Sequence, residues 1–171
     1  METWDTIRAR RNVRRFSDDP IAREDLDRIL EAGWRAPSSM NWQPWHFVVV
    51  TDRSLLEALS ATGPGTGHVA SSAATVALVA YHPEDDVHAR WLQYDFGQLT
   101  AYMMLAAADL GIGSGHAGVR DQHEVRRVLS LPDDTVCPYM VAFGYPADRP
   151  LRPVGKPDRR PFGEVVHWDR W

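Results

Sequence analysis

The 171-residue chain has one cysteine, Cys137, and one lysine, Lys156, and neither charge is in large excess. A single cysteine excludes an intrachain disulfide framework and every cysteine-cluster zinc signature, and it fits a reducing compartment, so the cytoplasm is the expected location. The most apolar stretch, Leu99 to Ala108, falls well short of the ~18 residues that span a bilayer, and the opening METWDTIRARRNVRRF has no run of signal-peptide length. No membrane association is expected. With 19 basic against 23 acidic residues, the net charge of -4 gives the whole protein no bias toward nucleic acid. The seven histidines include no i, i+4 pair with a supporting acid, and there is no G-x-S-x-G or Cys/His signature. Neither a metal site nor nucleophilic hydrolysis is therefore indicated.

What is present is one ordinary domain's worth of core, with 44% hydrophobic and 25% charged residues, so residues 1–171 are expected to form one domain. In Asp19 to Ser39 the residues Leu26, Ile29, Leu30, Gly33 and Trp34 recur at helical spacing, which predicts an amphipathic helix closed by Pro37. Asp52 and Asp121 are placed to cap short helices, the second with Glu124 three residues on. Ala89 to Leu110 is apolar nearly all round from Leu99 onward, as suits a helix surrounded by protein. Strands are predicted at Trp45–Thr51, Thr75–Tyr81 and Tyr139–Gly144. Their uninterrupted apolar character points to a sheet covered on both faces by helices. Ala61 to Gly67, ATGPGTG, reads as a mobile loop beside a site entrance or as a plain surface connection. The closing VVHWDRW is too aromatic to stay in water and is expected to dock on its own domain or on a partner chain.

Charge is concentrated in two places. Residues 8 to 15 carry five arginines and no acid, and residues 149 to 160 carry four arginines and Lys156 against Asp158. In Arg10-Arg11-Asn12-Val13-Arg14-Arg15-Phe16, alternate side chains of an extended segment share a face, so Arg10, Asn12 and Arg14 can converge on an anion such as a phosphate. The alternatives are a solvated face and a nucleic-acid patch. Ala36 to Trp45, APSSMNWQPW, offers Ser38, Ser39, Asn41 and Gln43 between two prolines. That suits hydrogen bonding to a flat polar heterocycle, or a turn with capping side chains. Gly113 to Gly118 contains G-x-G-x-x-G, but it follows a helix rather than a strand, so a dinucleotide fingerprint is rejected. Its glycines are read as allowing backbone N–H groups close to a ligand.

Taken together, RRNVRRF, APSSMNWQPWHFVVV, GIGSGHAGV and RRPFGEVVHWDRW, in this order and spacing, resemble the FMN-dependent nitroreductase family over nearly the whole chain. The resemblance implies an α+β fold, a mostly antiparallel central sheet sandwiched by helices, in an intertwined homodimer with FMN at the subunit interface. It implies that Arg10 and Asn12 approach the phosphate and ribityl chain, with Arg11 in the same cofactor-binding set, and that Arg14 meets the pyrimidine edge. The family usually has serine where Asn12 stands. Pro37, Ser38, Ser39 and Asn41 match the segment that the family's second subunit lays over the flavin, Gln43 matches the adjacent polar position, and His116, Ala117 and Gly118 match backbone facing its reactive edge. Arg159 matches a phosphate-binding arginine, with Lys156 or Arg160 as its helper. Many relatives carry a lysine near the position of His68.

The implied activity is ping-pong reduction of nitroaromatics, quinones or other electron-poor acceptors by NAD(P)H, with the chemistry carried by the cofactor and no catalytic side chain. The alternatives are a flavin-binding or flavin-sequestering protein with little turnover, and an enone reductase or flavin-consuming enzyme on the same fold. No nucleic-acid partner is expected.

Overall fold

An apolar run without polar alternation, TVALVAY, makes a strand that must be covered on both faces. In the computed structural model, which describes residues 1–171, this run is β2 (Ala74–Tyr81), buried along its whole length except at Tyr81. It pairs on one side with β1 (His46–Val50) and on the other with β4 (Thr135–Gly144), which in turn pairs with β3 (Gly113–Gly118). The spatial order is β1-β2-β4-β3 and every neighbouring pair is antiparallel. Central registers are Val76 opposite Val141 and His116 opposite Val141.

Alternation along β2 and β4 feeds two cores. Val76, Leu78, Val141 and Phe143 join the core covered by α2 (Arg23–Trp34) and α4 (Asp86–Asp109). Ala77, Val79, Met140 and Ala142 join a second core covered by α3 (Arg53–Leu59) and α5 (Gln122–Leu129). A fully buried Val, Leu or Phe contributes roughly 1.5–3 kcal/mol, so the two-sided burial of this strand pair is the main source of stability. A short α1 (Thr3–Ala9) precedes the arginine segment. No helix is long and apolar enough to cross a membrane.

The caps form largely as expected. Asp52 accepts a hydrogen bond from Leu55 N and Asp121 from Glu124 N, while Glu124 turns to Arg127 at 2.6 Å instead of back to the cap. Cys137 lies in the second core, where burial pushes its thiol up to about 12. A thiol-specific reagent at neutral pH is therefore expected to leave the native protein unlabelled and to label one cysteine after denaturation. Labelling of the native protein at the rate of a free thiol would contradict this placement.

Three expectations need correction. Gly113–Gly118, absent from the predicted strands, is a strand. β4 starts four residues before the predicted Tyr139, running through Pro138. A proline lacks the N–H a ladder needs, and here it falls where the β2–β4 register shifts between Leu78 and Ala80, so the irregularity accommodates it. Ala61 to Gly67 is a packed turn rather than an open loop. Thr62 and Thr66 are buried, the Thr66 hydroxyl donates to Ser60 O and Gly63 O, and Thr62 O accepts from Arg120 N and Asp121 N. These bonds tie the turn to the end of β3, while Ala61, Pro64, Gly65 and Gly67 stay exposed at its surface.

Candidate functional site

The arginine segment after α1 is extended and lies along the free edge of β3. Val13 N donates to Ser114 O at 2.8 Å, with a parallel bridge between Asn12 and Ser114. On its far side Ala147 N donates to Arg15 O, Ser17 N donates to Tyr145 O, and Phe16 bridges Pro146. Val13 and Phe16 are buried and hold the segment down. Arg14 and Arg15 are exposed and Arg10, Arg11 and Asn12 half-buried, while Val13 and Phe16, three residues apart, both turn inward, so the strict alternation expected from the sequence does not run through the whole segment.

The glycines of β3 make this docking possible. A Cβ at Gly113 would lie 2.8 Å from Val13 Cγ2, and one at Gly115 would press on the Val13 carbonyl oxygen and lie 3.0 Å from His68 Nε2. They serve the approach of the arginine segment rather than of a ligand. Gly118 differs, because nothing stands within 4 Å of the place its Cβ would take. His116 and Gly118 are exposed while Ala117 between them is buried, so this end of β3 presents backbone and one imidazole to the outside.

Neither Arg10 nor Arg14 pairs with a carboxylate. Arg11 does, binding Asp148 at 2.6 Å and the Arg149 carbonyl at 2.8 Å. It ties down the start of the C-terminal segment and lines an open cleft of about 360 Å³ with Arg149 and Arg152. Asn12 Oδ1 is buried without a hydrogen-bond donor, as Arg11 Nε is without an acceptor, the bonds of Arg11 being made by Nη2. An orphaned buried acceptor costs roughly 1–3 kcal/mol, and with Arg10 and Arg14 two residues to either side in the chain, a ligand combining an anionic group with hydroxyl donors would satisfy such a set. FMN, with its phosphate and ribityl hydroxyls, fits this donor and acceptor set.

His68 stands behind β3, its Nε2 3.1 Å from Gly115 O. Burial pushes its pKa below the ordinary histidine value of 6.5, the Gly115 hydrogen bond opposes this, and the charges of Arg14 and His116 add to the lowering. Because the folded value is depressed, the stability contribution is complete above 6.5 and is lost as pH falls through the folded value. Urea midpoints are therefore expected to drop more between about pH 7 and about pH 5 for wild type than for His68→Gln. Equal drops would show that His68 does not carry this dependence.

The second predicted segment forms an arch at the end of α2. Met40, Asn41 and Gln43 all adopt left-handed backbone, with φ of 51°, 57° and 52°. Non-glycine residues there cost of order 1 kcal/mol or more each, and such strain persists only where surrounding contacts fix it. Gln43 N donates to Ser38 Oγ and Gln43 Nε2 to Asn41 O, while Ser39 N and Oγ both donate to Asp95 of α4. Pro37, Asn41 and Gln43 are exposed and Ser38 and Ser39 half-buried. Ser39 thus faces inward to Asp95, whereas Asn41 and Gln43 face solvent. Sequence reasoning passed over Asp95, which lies in the mixed polar and apolar first half of α4, before the apolar stretch that starts at Leu99, so no local pattern marked it.

Lys156 and Arg159 lie on an exposed C-terminal segment. It touches the body where Val154 N donates to Arg8 O, and Arg159 bonds only its neighbour, the Asp158 carbonyl. No hydrogen bond or ion pair brings either residue to Arg10. The closing aromatic residues do not dock on their own domain, since Trp168 is 83% exposed and Trp171 102%. Trp4, Trp34, Met40, Tyr94 and Phe162 are also exposed.

Comparison with known proteins matches residues 7–63 and 58–145 to the model of the Nitroreductase family. The chain is 33% identical to an NADH dehydrogenase of Thermus thermophilus, over 93% of this chain and 92% of that protein. It is 30% identical to an oxygen-insensitive NADPH nitroreductase of Salmonella typhimurium, over 99% of this chain and 74% of that one. Among solved structures, the NADPH:FMN oxidoreductase of Vibrio harveyi complexed with NAD+ superposes with a TM-score of 0.83 at 27% identity, covering 97% of this chain and 76% of that one.

Proposed function

The chain belongs to the nitroreductase family and is an oxidoreductase, and on that footing we propose that it binds FMN and uses NAD(P)H to reduce nitroaromatics, quinones or related electron-poor acceptors. The observation that carries the cofactor assignment is the buried, unpartnered Asn12 Oδ1, flanked in sequence by Arg10 and Arg14, neither of which pairs with a carboxylate. When bound, FMN supplies the hydride and electron transfer chemistry.

The chain's own residues bind and orient. Arg10 offers a charge-assisted contact to the phosphate, and Asn12 accepts from a ribityl hydroxyl. With FMN bound, Arg14 would set its guanidinium at the pyrimidine edge, where its positive charge would favour the reduced, more negative ring. The Pro37–Gln43 arch presents Asn41 and Gln43, and His116 to Gly118 present backbone at the open end of β3. NAD(P)H and the acceptor occupy one site in turn, and no side chain of the set is required as general acid or base.

Two copies are needed to complete the site in this reading. The exposed tryptophans of the C-terminal segment and of α1 and α2 form more apolar surface than a lone chain keeps in water, which supports a homodimer that covers them. Lys156 and Arg159 would then reach a phosphate from that segment.

The test is the absorption spectrum of the purified, desalted protein, followed by anaerobic addition of NADPH and then NADH. Flavin bands that bleach are the expected result, and the faster donor is identified at the same time. Flavin bands that persist would move the assignment to a binding protein with little turnover. A colourless protein that takes up no added FMN would overturn the cofactor assignment.

A further inference from the structure

Asp95 is completely inaccessible to solvent, on the face of α4 that meets the Pro37–Gln43 arch, and no cation neutralises it. Its carboxylate is satisfied almost entirely by that arch. Ser39 N lies 3.0 Å from both carboxylate oxygens, Ser39 Oγ donates to Oδ1 at 3.1 Å, and Gln98 Nε2, one turn further along α4, donates at 3.4 Å. The same Gln98 amide reaches the Pro37 carbonyl at 3.5 Å. Two residues of one helix turn thus grip the arch just before its left-handed residues begin.

Core stability alone does not call for this arrangement. A carboxylate taken out of water without a cation is a costly core residue, and an apolar side chain of similar volume would usually be neutral or better. What the carboxylate supplies is direction. It accepts from the backbone N–H of one residue only, Ser39, and so fixes the point from which Met40, Asn41 and Gln43 depart in their unusual conformation.

We propose that Asp95 is a positioning residue for the flavin site: acting through Ser39, it holds the arch in the shape that presents Asn41 and Gln43 to the cofactor. Ser39 itself then serves as the anchor and not as a flavin contact, its hydroxyl proton being spent on Asp95. The inference rests on the FMN assignment above and adds a residue outside the motifs that suggested it.

The experiment uses the full-length protein stripped of flavin, titrated with FMN and followed by quenching of flavin fluorescence, with visible circular dichroism of the bound flavin and thermal unfolding of the stripped protein. In Asp95→Asn one carboxylate oxygen becomes an amide NH2 group that faces the Ser39 N–H. The expected result is an FMN dissociation constant raised about tenfold, the effect of losing one good hydrogen bond to a charged group, with an altered flavin dichroism and an unfolding temperature like that of wild type. Ser39→Ala, which removes only the hydroxyl, should move affinity and dichroism in the same direction by less. It decides the question if Asp95→Asn does not fold. Unchanged affinity and dichroism in a folded variant overturn the proposal, as does an affinity loss matched by loss of stability in the stripped protein. A wild-type chain that takes up no FMN overturns the cofactor assignment itself, whereas normal uptake by wild type and variants alike overturns only the role of Asp95.

Discussion

Arg10→Ala is expected to lose FMN on desalting, its affinity reduced roughly 10- to 150-fold, since a hydrogen bond to a charged group typically contributes about 1.5–3 kcal/mol. The structure makes this substitution unusually clean. Arg10 has no carboxylate partner, so its removal strands no buried charge, and its stem lies at the end of α1 and outside both cores. Fold stability should therefore stay close to wild type while flavin retention falls. Arg11→Ala makes the contrast. Its guanidinium is committed to Asp148 and Arg149 O, so its loss should loosen the C-terminal segment rather than the phosphate contact. Equilibrium dialysis with FMN checks both variants. Equal retention by Arg10→Ala and wild type would remove Arg10 from the site, and a larger loss in Arg11→Ala would exchange the two roles.

The second large effect is expected at Gly115. An alanine methyl there would collide with the Val13 carbonyl oxygen and crowd His68, and backbone on one side with a buried ring on the other leaves no inexpensive adjustment. Overpacking of this kind costs about 1–3 kcal/mol in stability, read as a lower urea midpoint. Relief comes only by lifting the segment that carries Arg10, Asn12 and Arg14, so flavin affinity should fall together with stability. Gly118→Ala is the matched control, because its methyl would enter open space. Its urea midpoint should hold or rise, since alanine loses less backbone entropy on folding than glycine. A Gly115→Ala protein as stable as wild type would show that the arginine segment is free to move off β3.

How much of this could be read from the sequence depended on whether local pattern and tertiary demand agreed. β2 was legible because it is wrapped in protein, and burial on both faces leaves an uninterrupted apolar run. α4 was legible as a helix, but it is buried along one face only in this chain, with Tyr94, Gly97, Ala101 and Tyr102 exposed, rather than surrounded as its composition suggested. β3 was not legible. Three of its six residues are glycine, a poor strand former, and what makes it a strand is a packing requirement imposed by Val13, a residue about 100 positions earlier in the chain. The arch was recognised as a polar turn, but its left-handed residues are methionine, asparagine and glutamine. Without glycine no local signal marks the conformation, which is enforced from α4. The expectation that Arg10, Asn12 and Arg14 share a face rested on strict alternation, which the segment does not keep, since Val13 and Phe16, three residues apart, are both buried. That Arg11 is occupied by Asp148 followed from the path of the last 27 residues, which no local pattern encodes.

The strand order also dictates when the protein can fold. β4 is central in space yet last in sequence, and it is the only strand that pairs with β3 and one of two that pair with β2. While the chain is being made, β1 and β2 can associate early, but β2 keeps an open, wholly apolar edge until residues 135–144 have emerged. A nascent or truncated chain ending before β4 therefore exposes a sticky strand flank, and such fragments should aggregate rather than accumulate as soluble intermediates. The same dependence on late, long-range pairing places the sheet among slow folders, with β4 docking as the closing event.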